Sequence, residues 1–355
     1  MALLTLPKTS LSTWIQLLQE EFTIIGPKKK EQATIFDTIH SASELQLDYS
    51  TSLLPPKKVL LPTKEELIRF NFQNNKRAIM PTFESQPTVL FGVHTCDLHA
   101  IKLLDHVLDQ EYPDQHYLSR RRATTIVSIE CLKPCSEMAF CKSMDTLSLP
   151  EKFDLHLTEM EDEYVLDIGS AKGAHLIRSL ASVREITTKA SKELKKALSE
   201  KWSNFHYSLD FDSSEIPSLL SLSYNSPVWD ELEKRCLGCG ACTLVCPTCY
   251  CFNVMDEMDL IHHSGSRFRV WDSCQLDQFA VVAGEHNFRP SQASRIRRRI
   301  FHKGKYQTET SGIMGCVGCG RCAQTCLVQI SPVDILNELY RLYVTQGQRV
   351  QEATL

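Results

Sequence analysis

Apolar residues first recur at helical spacing near the amino end, where Trp14, Leu17, Leu18 and Phe22 share one face and predict a helix over Ser10–Phe22. Three compact strand-like runs follow: Val59-Leu60-Leu61 closed by Pro62, then TVLFGV (Thr88–Val93), then TTIVSI (Thr124–Ile129). Between the last two, Leu98, Ile101, Leu104 and Val107 repeat with helical spacing from Asp97, whose carboxylate suits a first helical turn. A strand, a helix and a strand make a right-handed crossover with parallel strands. Ligands gather beyond the carboxyl ends of such strands, and Cys96 and Cys131 both stand just past one, so chain geometry brings them near each other. Phe153–Leu157 and Tyr164–Ile168 then predict a hairpin around the acidic turn Glu159–Glu163, and Lys189–Trp202 predicts a surface helix. The Ser-, Asp- and Pro-rich stretch 203–227 reads as a connector, with the domain boundary near Ser213–Ser226.

This order of elements predicts an α+β chain in two parts. The first, over 1–215, is an α/β domain with a partly parallel sheet, and the second, over 226–346, is mostly helical. A length of 355 residues leaves room for two such domains. With 43% hydrophobic and 23% charged residues, the composition excludes disordered, fibrous and membrane-embedded classes. The start, MALLTLPKTSLSTW, lacks an apolar signal core, and nowhere do some 18 apolar residues run together. A cytoplasmic setting is therefore expected. The net charge of -4 argues against a dedicated nucleic-acid binder.

The chemistry lies in 15 cysteines, which an intracellular chain uses as metal ligands or redox groups sooner than as disulfides. Four stand at Cys96, Cys131, Cys135 and Cys141; none falls between 142 and 235; the rest crowd into 236–326. CLGCGACTLVCP places Cys236, Cys239, Cys242 and Cys246, and CVGCGRCAQTCL places Cys316, Cys319, Cys322 and Cys326. Both follow C-x2-C-x2-C-x3-C, the bacterial [4Fe–4S] spacing. Three thiolates on a tight loop wrap three corners of a cubane, while Gly238, Gly240, Gly318 and Gly320 permit positive φ and close approach of amide donors. In two-cluster ferredoxins the fourth cysteine ligates the other cluster. Carried over, Cys236, Cys239, Cys242 and Cys326 hold one [4Fe–4S] cluster, and Cys316, Cys319, Cys322 and Cys246 the other. Zinc fits less well, because it leaves the fourth cysteine of each motif redundant. The interval between the motifs, with segments such as Gln275–Ala283 and Ser291–His302, favours a mostly helical dicluster domain. Ser331 predicts the cap of a last helix over Pro332–Tyr343.

PPKKVLLPTKEEL (Pro55–Leu67), GVHTCDLHAIKLLD (Gly92–Asp105), CKSMDT (Cys141–Thr146), both cluster motifs, CPTCYC (Cys246–Cys251), WDSC (Trp271–Cys274) and RIRRRIFHK (Arg295–Lys303) together resemble one family. It comprises the iron–sulfur subunit of anaerobic sulfite reductase and the beta subunit of cytoplasmic sulfhydrogenases, the group 3b [NiFe] hydrogenases. The resemblance covers about Leu53–Tyr340. It implies a protein that carries electrons between a flavin subunit oxidising NAD(P)H and a catalytic subunit, either sulfite-reducing or hydrogen-activating. Where the family shows C-F-C-x-S-M-G-T, this chain has Ala139 before Phe140 and Asp145 for the glycine, with its extra thiol at Cys135. A third [4Fe–4S] cluster on Cys96, Cys131, Cys135 and Cys141 is the resulting expectation; its alternative is a set of buried free thiols.

Cys249, Cys251 and Cys274 remain, either as thiols packed beside a cluster, as residues supporting its ligands, or as ligands of something further. Arg295, Arg297, Arg298, Arg299, Lys303 and Lys305 form the densest positive run, read as a face for an acidic partner, as charge balance for anionic clusters, or in part as a solvated helix face. His94 and His99, flanking Cys96, read as caps of local backbone in preference to donors to a cluster. DIGSAKGAH, with Gly169 and Gly173, does not form a dinucleotide fingerprint, and no P-loop or G-x-S-x-G elbow occurs. An alternative function is reduction of sulfur or disulfide compounds by spare cysteines such as Cys249 and Cys251; a zinc-bound interaction module is a third.

Overall fold

The computed structural model of the chain describes residues 3–72 and 78–353. It separates into two compact units that the chain enters more than once: 1–135, 148–204 and 252–271 form the first, and 136–147, 205–251 and 272–355 the second. Helices and strands mix in an α+β arrangement, with parallel pairing in the amino-terminal part and helices gathered toward the carboxyl end.

The strands are β1 (Leu4–Pro7), β2 (Thr23–Lys30), β3 (Ala33–Thr38), β4 (Lys64–Asn71), β5 (Ala78–Pro81), β6 (Thr88–His94), β7 (Thr124–Ile129), β8 (Leu155–Glu159), β9 (Glu163–Ile168), β10 (Arg184–Glu185), β11 (Phe252–Asp259) and β12 (Ser264–Trp271). Among the described residues one sheet runs β10-β1-β9-β8-β7-β6-β2-β3. Its centre is parallel, from β2 through β6 and β7 to β8. Every residue of β6 and β7 is buried, as apolar β-branched runs covered on both faces require. The helix Thr95–Leu108 makes the expected crossover between them. Trp14, from the helix Leu11–Gln19, packs edge-on against Phe91 with ring centroids 5.0 Å apart, and its indole N–H donates to the Leu176 carbonyl at 2.8 Å. β8 and β9 form the expected hairpin, antiparallel with Leu157 opposite Leu166.

Val59–Leu61 departs from its strand-like reading: Lys57–Leu60 is a short helix, because Pro55 and Pro56 precede it with φ already set for a first turn. The first unit also holds a second sheet, β11-β12-β4-β5, antiparallel throughout. Its strands β11 and β12 lie in sequence between the two cluster motifs, an interval that reads as helix or loop. FNVMDEMD is exposed throughout and SGSRFRVW fully buries only Arg269, so neither carries a period-two apolar pattern that would mark it as a strand.

The second unit packs the helices Ile216–Leu222, Val228–Arg235, Gln292–Phe301 and Pro332–Ala353 around Trp229, Leu220, Ile300, Phe301, Leu336 and Leu339. Burying each such side chain contributes about 1.5–3 kcal/mol. The stretch 203–227 is not a mere connector, since Leu209, Ile216, Leu219 and Leu220 lie in this core. Its polar residues are caps and turns: Asp212 accepts from the Ser214 amide at 2.8 Å, and Pro217 opens the helix. At the last helix, the Ser331 hydroxyl accepts the Val333 amide at 3.1 Å, as a cap does.

Candidate metal centre

The two cysteine motifs fold into matching loops. In the first, Gly238 and Gly240 take φ of 63° and 76°, and a short helix Ala241–Leu244 follows; in the second, Gly318 and Gly320 take 65° and 73°, and Arg321–Gln324 follows. In each loop the fourth cysteine donates its amide to a carbonyl three residues back, Cys246 to Thr243 and Cys326 to Ala323, both at 3.2 Å. The two short helices pack together, so the loops are apposed within the second unit. The Gly238 amide also donates to the Cys236 sulfur at 3.4 Å.

Apposition mixes the motifs. A cavity with about 40 Å³ of open space is walled by Cys316, Cys319 and Cys322 of the second motif and by Cys246 of the first. These are the four thiols that exchange of the fourth cysteine assigns to one cluster. Phe140, Ile300 and Val317 supply apolar wall. Burial pushes the Cys316 and Cys242 thiols up to about 12, so they bind as thiolates only where a metal drives off the proton.

Charge compensation comes from the helix after Ser291. Arg295, Arg299 and Lys303 recur every fourth residue and all three are buried. Burial opposes the charge of Arg299, but the surrounding Cys242, Cys322, Cys246 and Cys249 outweigh it and raise its pKa. Lys303 behaves alike: burial lowers its pKa, while Cys249 and Cys246 raise it further. Arg299 Nη2 donates to the Cys242 carbonyl at 3.4 Å, its Nε has no hydrogen-bond partner, and among the described residues neither cation makes a salt bridge. A buried cation without a carboxylate is costly unless an anion sits beside it. Sulfur donors on apposed loops and inward cations fit an anionic thiolate-bound [4Fe–4S] group. The other basic residues serve structure: Arg295 pairs with Asp277 at 2.9 Å, Arg297 and Arg298 stack on Tyr224 and Tyr306, and Lys305 pairs with Glu309 at 3.2 Å. His302–Tyr306 is a π-helical turn, a feature frequent at functional sites.

Several residues outside the two cysteine motifs' ligand positions support the loops. The segment 136–147 lies on the second loop, where the Phe140 amide donates to Gly318 at 2.8 Å and the Thr146 hydroxyl donates to Val317 at 2.6 Å. On the first loop, the Thr243 hydroxyl meets that of Ser273 at 2.6 Å. The leftover thiols are near the same region. Cys249 is buried, while the neighbouring Cys251 draws the Cys274 thiol down to about 6, and Cys274 together with burial pushes Cys251 up.

Of the amino-terminal cysteines, Cys96, Cys131 and Cys135 belong to the first unit and Cys141 to the second. Cys96 is buried in the first turn after β6, and Cys131 stands two residues past β7, its parallel neighbour. A cavity of about 530 Å³ beyond these strand ends is lined by His94, Glu130, Cys131 and Cys135. Thr51 donates to the Cys135 sulfur at 3.4 Å, and the His94 ring stacks on Tyr49 with centroids 4.1 Å apart. His99 contacts the Ser148 carbonyl at 2.8 Å, in keeping with a backbone role. Backbone atoms of Cys141 lie against Gly318, where a methyl group would sit 2.6 Å away. Among the described residues no helix is long and apolar enough to cross a membrane.

Residues 235–330 match the family model of a 4Fe-4S dicluster domain. Over 334 residues, 91% of this chain and 93% of the relative, the sequence is 35% identical to sulfhydrogenase 2 subunit beta of Pyrococcus furiosus. No solved structure matches it.

Proposed function

This chain belongs to the sulfhydrogenase beta-subunit family, an iron–sulfur electron-transfer family, and on that premise we propose that it carries electrons between a flavin subunit that oxidises NAD(P)H and a catalytic subunit, in the cytoplasm. The observation that carries this reading is the cavity whose wall takes three cysteines from one motif and the fourth from the other. Cys246, Cys316, Cys319 and Cys322 hold one [4Fe–4S] cluster, and Cys236, Cys239, Cys242 and Cys326 the second. When bound, such clusters supply one-electron transfer with no substrate bond made or broken. The chain's own residues set the conditions: Phe140, Ile300 and Val317 exclude water, and Arg299 and Lys303 favour the more negative oxidation state. A catalytic partner of hydrogenase type is favoured over one of sulfite-reductase type, because the relative is a sulfhydrogenase subunit. The first unit acts as the docking body, and its own thiols Cys96, Cys131 and Cys135 are the ones within it that a third cluster draws on.

Iron and acid-labile sulfide analysis of chain purified without oxygen tests this. About 8 iron atoms per chain fits two clusters and about 12 fits three; a colourless, zinc-containing preparation overturns the reading.

A further inference from the structure

Among the described residues, four strands stand at sheet edges, β3 and β10 in one sheet and β5 and β11 in the other. An open edge presents a row of backbone N–H and C=O groups to any other extended chain, and folded proteins ordinarily blunt it. Three of these edges are blunted. β10 has two residues, β5 has four and ends at Pro81, and β3 is covered where the Leu53 amide donates to the Thr34 carbonyl at 2.9 Å. β11 is different: it has eight residues, all exposed, without proline or lysine, and among the described residues no backbone group outside β12 bonds to it. Its apolar side chains Phe252, Val254, Met255 and Met258 are each between 43% and 51% exposed.

Which backbone groups face outward follows from the bonds at the strand's beginning. The Asp272 amide donates to the Cys251 carbonyl at 3.0 Å, while the Trp271 amide, opposite Phe252, turns to the Thr63 carbonyl on the far side of β12 at 2.9 Å. Backbone direction alternates along an antiparallel strand, so Phe252, Val254, Asp256 and Met258 turn their N–H and C=O groups away from β12. The Val254 amide, which donates to the Asn253 side chain at 2.8 Å, agrees. Charge on this edge has one sign. Asp256, Glu257 and Asp259 lie on β11, and the cations paired with the first two, Arg267 and Lys64, come from the inner strands β12 and β4.

We propose that β11 takes up one further strand, from a partner polypeptide whose extended segment mixes apolar side chains with lysine or arginine, and that the first unit docks in this way. Main-chain bonds to the outward groups supply affinity, and the half-exposed apolar side chains and the carboxylates select the sequence that lies against them. A second copy of this chain fits less well, because two β11 strands side by side set three carboxylates from each copy along one seam. That a partner chain exists rests on the electron-transfer reading above; that it docks here rests on β11 alone.

The test compares the native complex, purified without oxygen through a tag on this chain, with the full-length chain alone, its clusters in place. Hydrogen–deuterium exchange of the 252–259 amides slows at least about tenfold in the complex, and a zero-length carbodiimide reagent links Glu257 or Asp259 to a lysine of a co-purifying subunit. Met258→Pro removes an outward donor and leaves the bonds to β12, as proline at an open edge does. It lowers the yield of co-purified subunit at least about tenfold, while iron content and electron paramagnetic resonance match wild type. Glu257→Lys, which sets like charge against the incoming strand, weakens the complex as well, and added salt narrows its difference from wild type. Equal exchange with and without the partner, carbodiimide links only to a second copy of this chain, or undiminished yield in both variants overturns docking at β11 and leaves electron transfer standing. Absence of any co-purifying subunit overturns both the docking and the place of this chain between two other subunits.

Discussion

The ammonium of Lys303 donates to both the carbonyl and the hydroxyl of Thr248, at 2.8 and 2.7 Å, and the Thr248 hydroxyl in turn donates to the Gly315 carbonyl at 2.7 Å. One buried cation thereby ties the tail of the first cysteine motif to the residue before the second. Lys303→Met keeps the length of the stem and removes the charge. It is expected to cost about 2–3 kcal/mol in denaturant unfolding of the holoprotein and to lower the midpoint potential of the nearer cluster, read by redox titration.

Exchange of the fourth cysteine makes a prediction about which variants look alike. Cys246→Ala should remove the same spectroscopic signature as Cys316→Ala, although the two lie in different motifs, and should leave the signature lost in Cys236→Ala. Electron paramagnetic resonance of the reduced variants reads this directly. Cys246→Ala matching Cys236→Ala instead would mean that each motif fills its own cluster.

Two glycines of similar backbone angle should respond differently to the same substitution. Gly318 has φ of 65°, and a methyl group there would lie 2.6 Å from backbone atoms of Cys141, whereas at Gly312, with φ of 69°, it meets nothing within 4 Å. Gly312→Ala should cost only the left-handed penalty, about 1–2 kcal/mol. Gly318→Ala adds a clash with main chain and should lose iron from the second loop, measured by metal analysis.

Acid should strike the first unit through a buried ionic group. Arg269 donates to Glu65 at 3.0 Å through Nε and pairs with Asp114; burial raises the carboxyl pKa of Asp114, but Arg269 and the Tyr117 amide outweigh it and hold the pKa below its ordinary value. A depressed carboxyl pKa contributes stability that is complete above the unfolded value, about 3.9, and is lost as pH falls through the folded one. Wild type should therefore lose thermal stability more steeply below about pH 4 than Asp114→Asn does. Parallel curves for the two would remove Asp114 from the acid response.

Local order was legible because it is written in local spacing. TVLFGV and TTIVSI are strands, the residues after Asp97 are helical, and both cysteine motifs form glycine-turned loops, since each depends on contacts within a few residues. The basic run was harder to read. Its spacing at 295, 299 and 303 is that of one helix face, but lysine and arginine are ordinarily exposed, and burial follows only once sulfur-bearing loops surround that face.

By itself, then, the amino-acid sequence determined the ligand-bearing loops, the parallel strand pair and the family to which the chain belongs. Tertiary structure decided that Cys246 of the first motif shares a cavity wall with Cys316, Cys319 and Cys322 of the second, and which cations turn inward. It also decided that β11 and β12 join the first unit although they stand between the motifs of the second. The reason is physical: spacing constrains residues a turn or a strand apart, whereas contacts between distant segments depend on which burial of apolar surface and charge costs least for the whole chain.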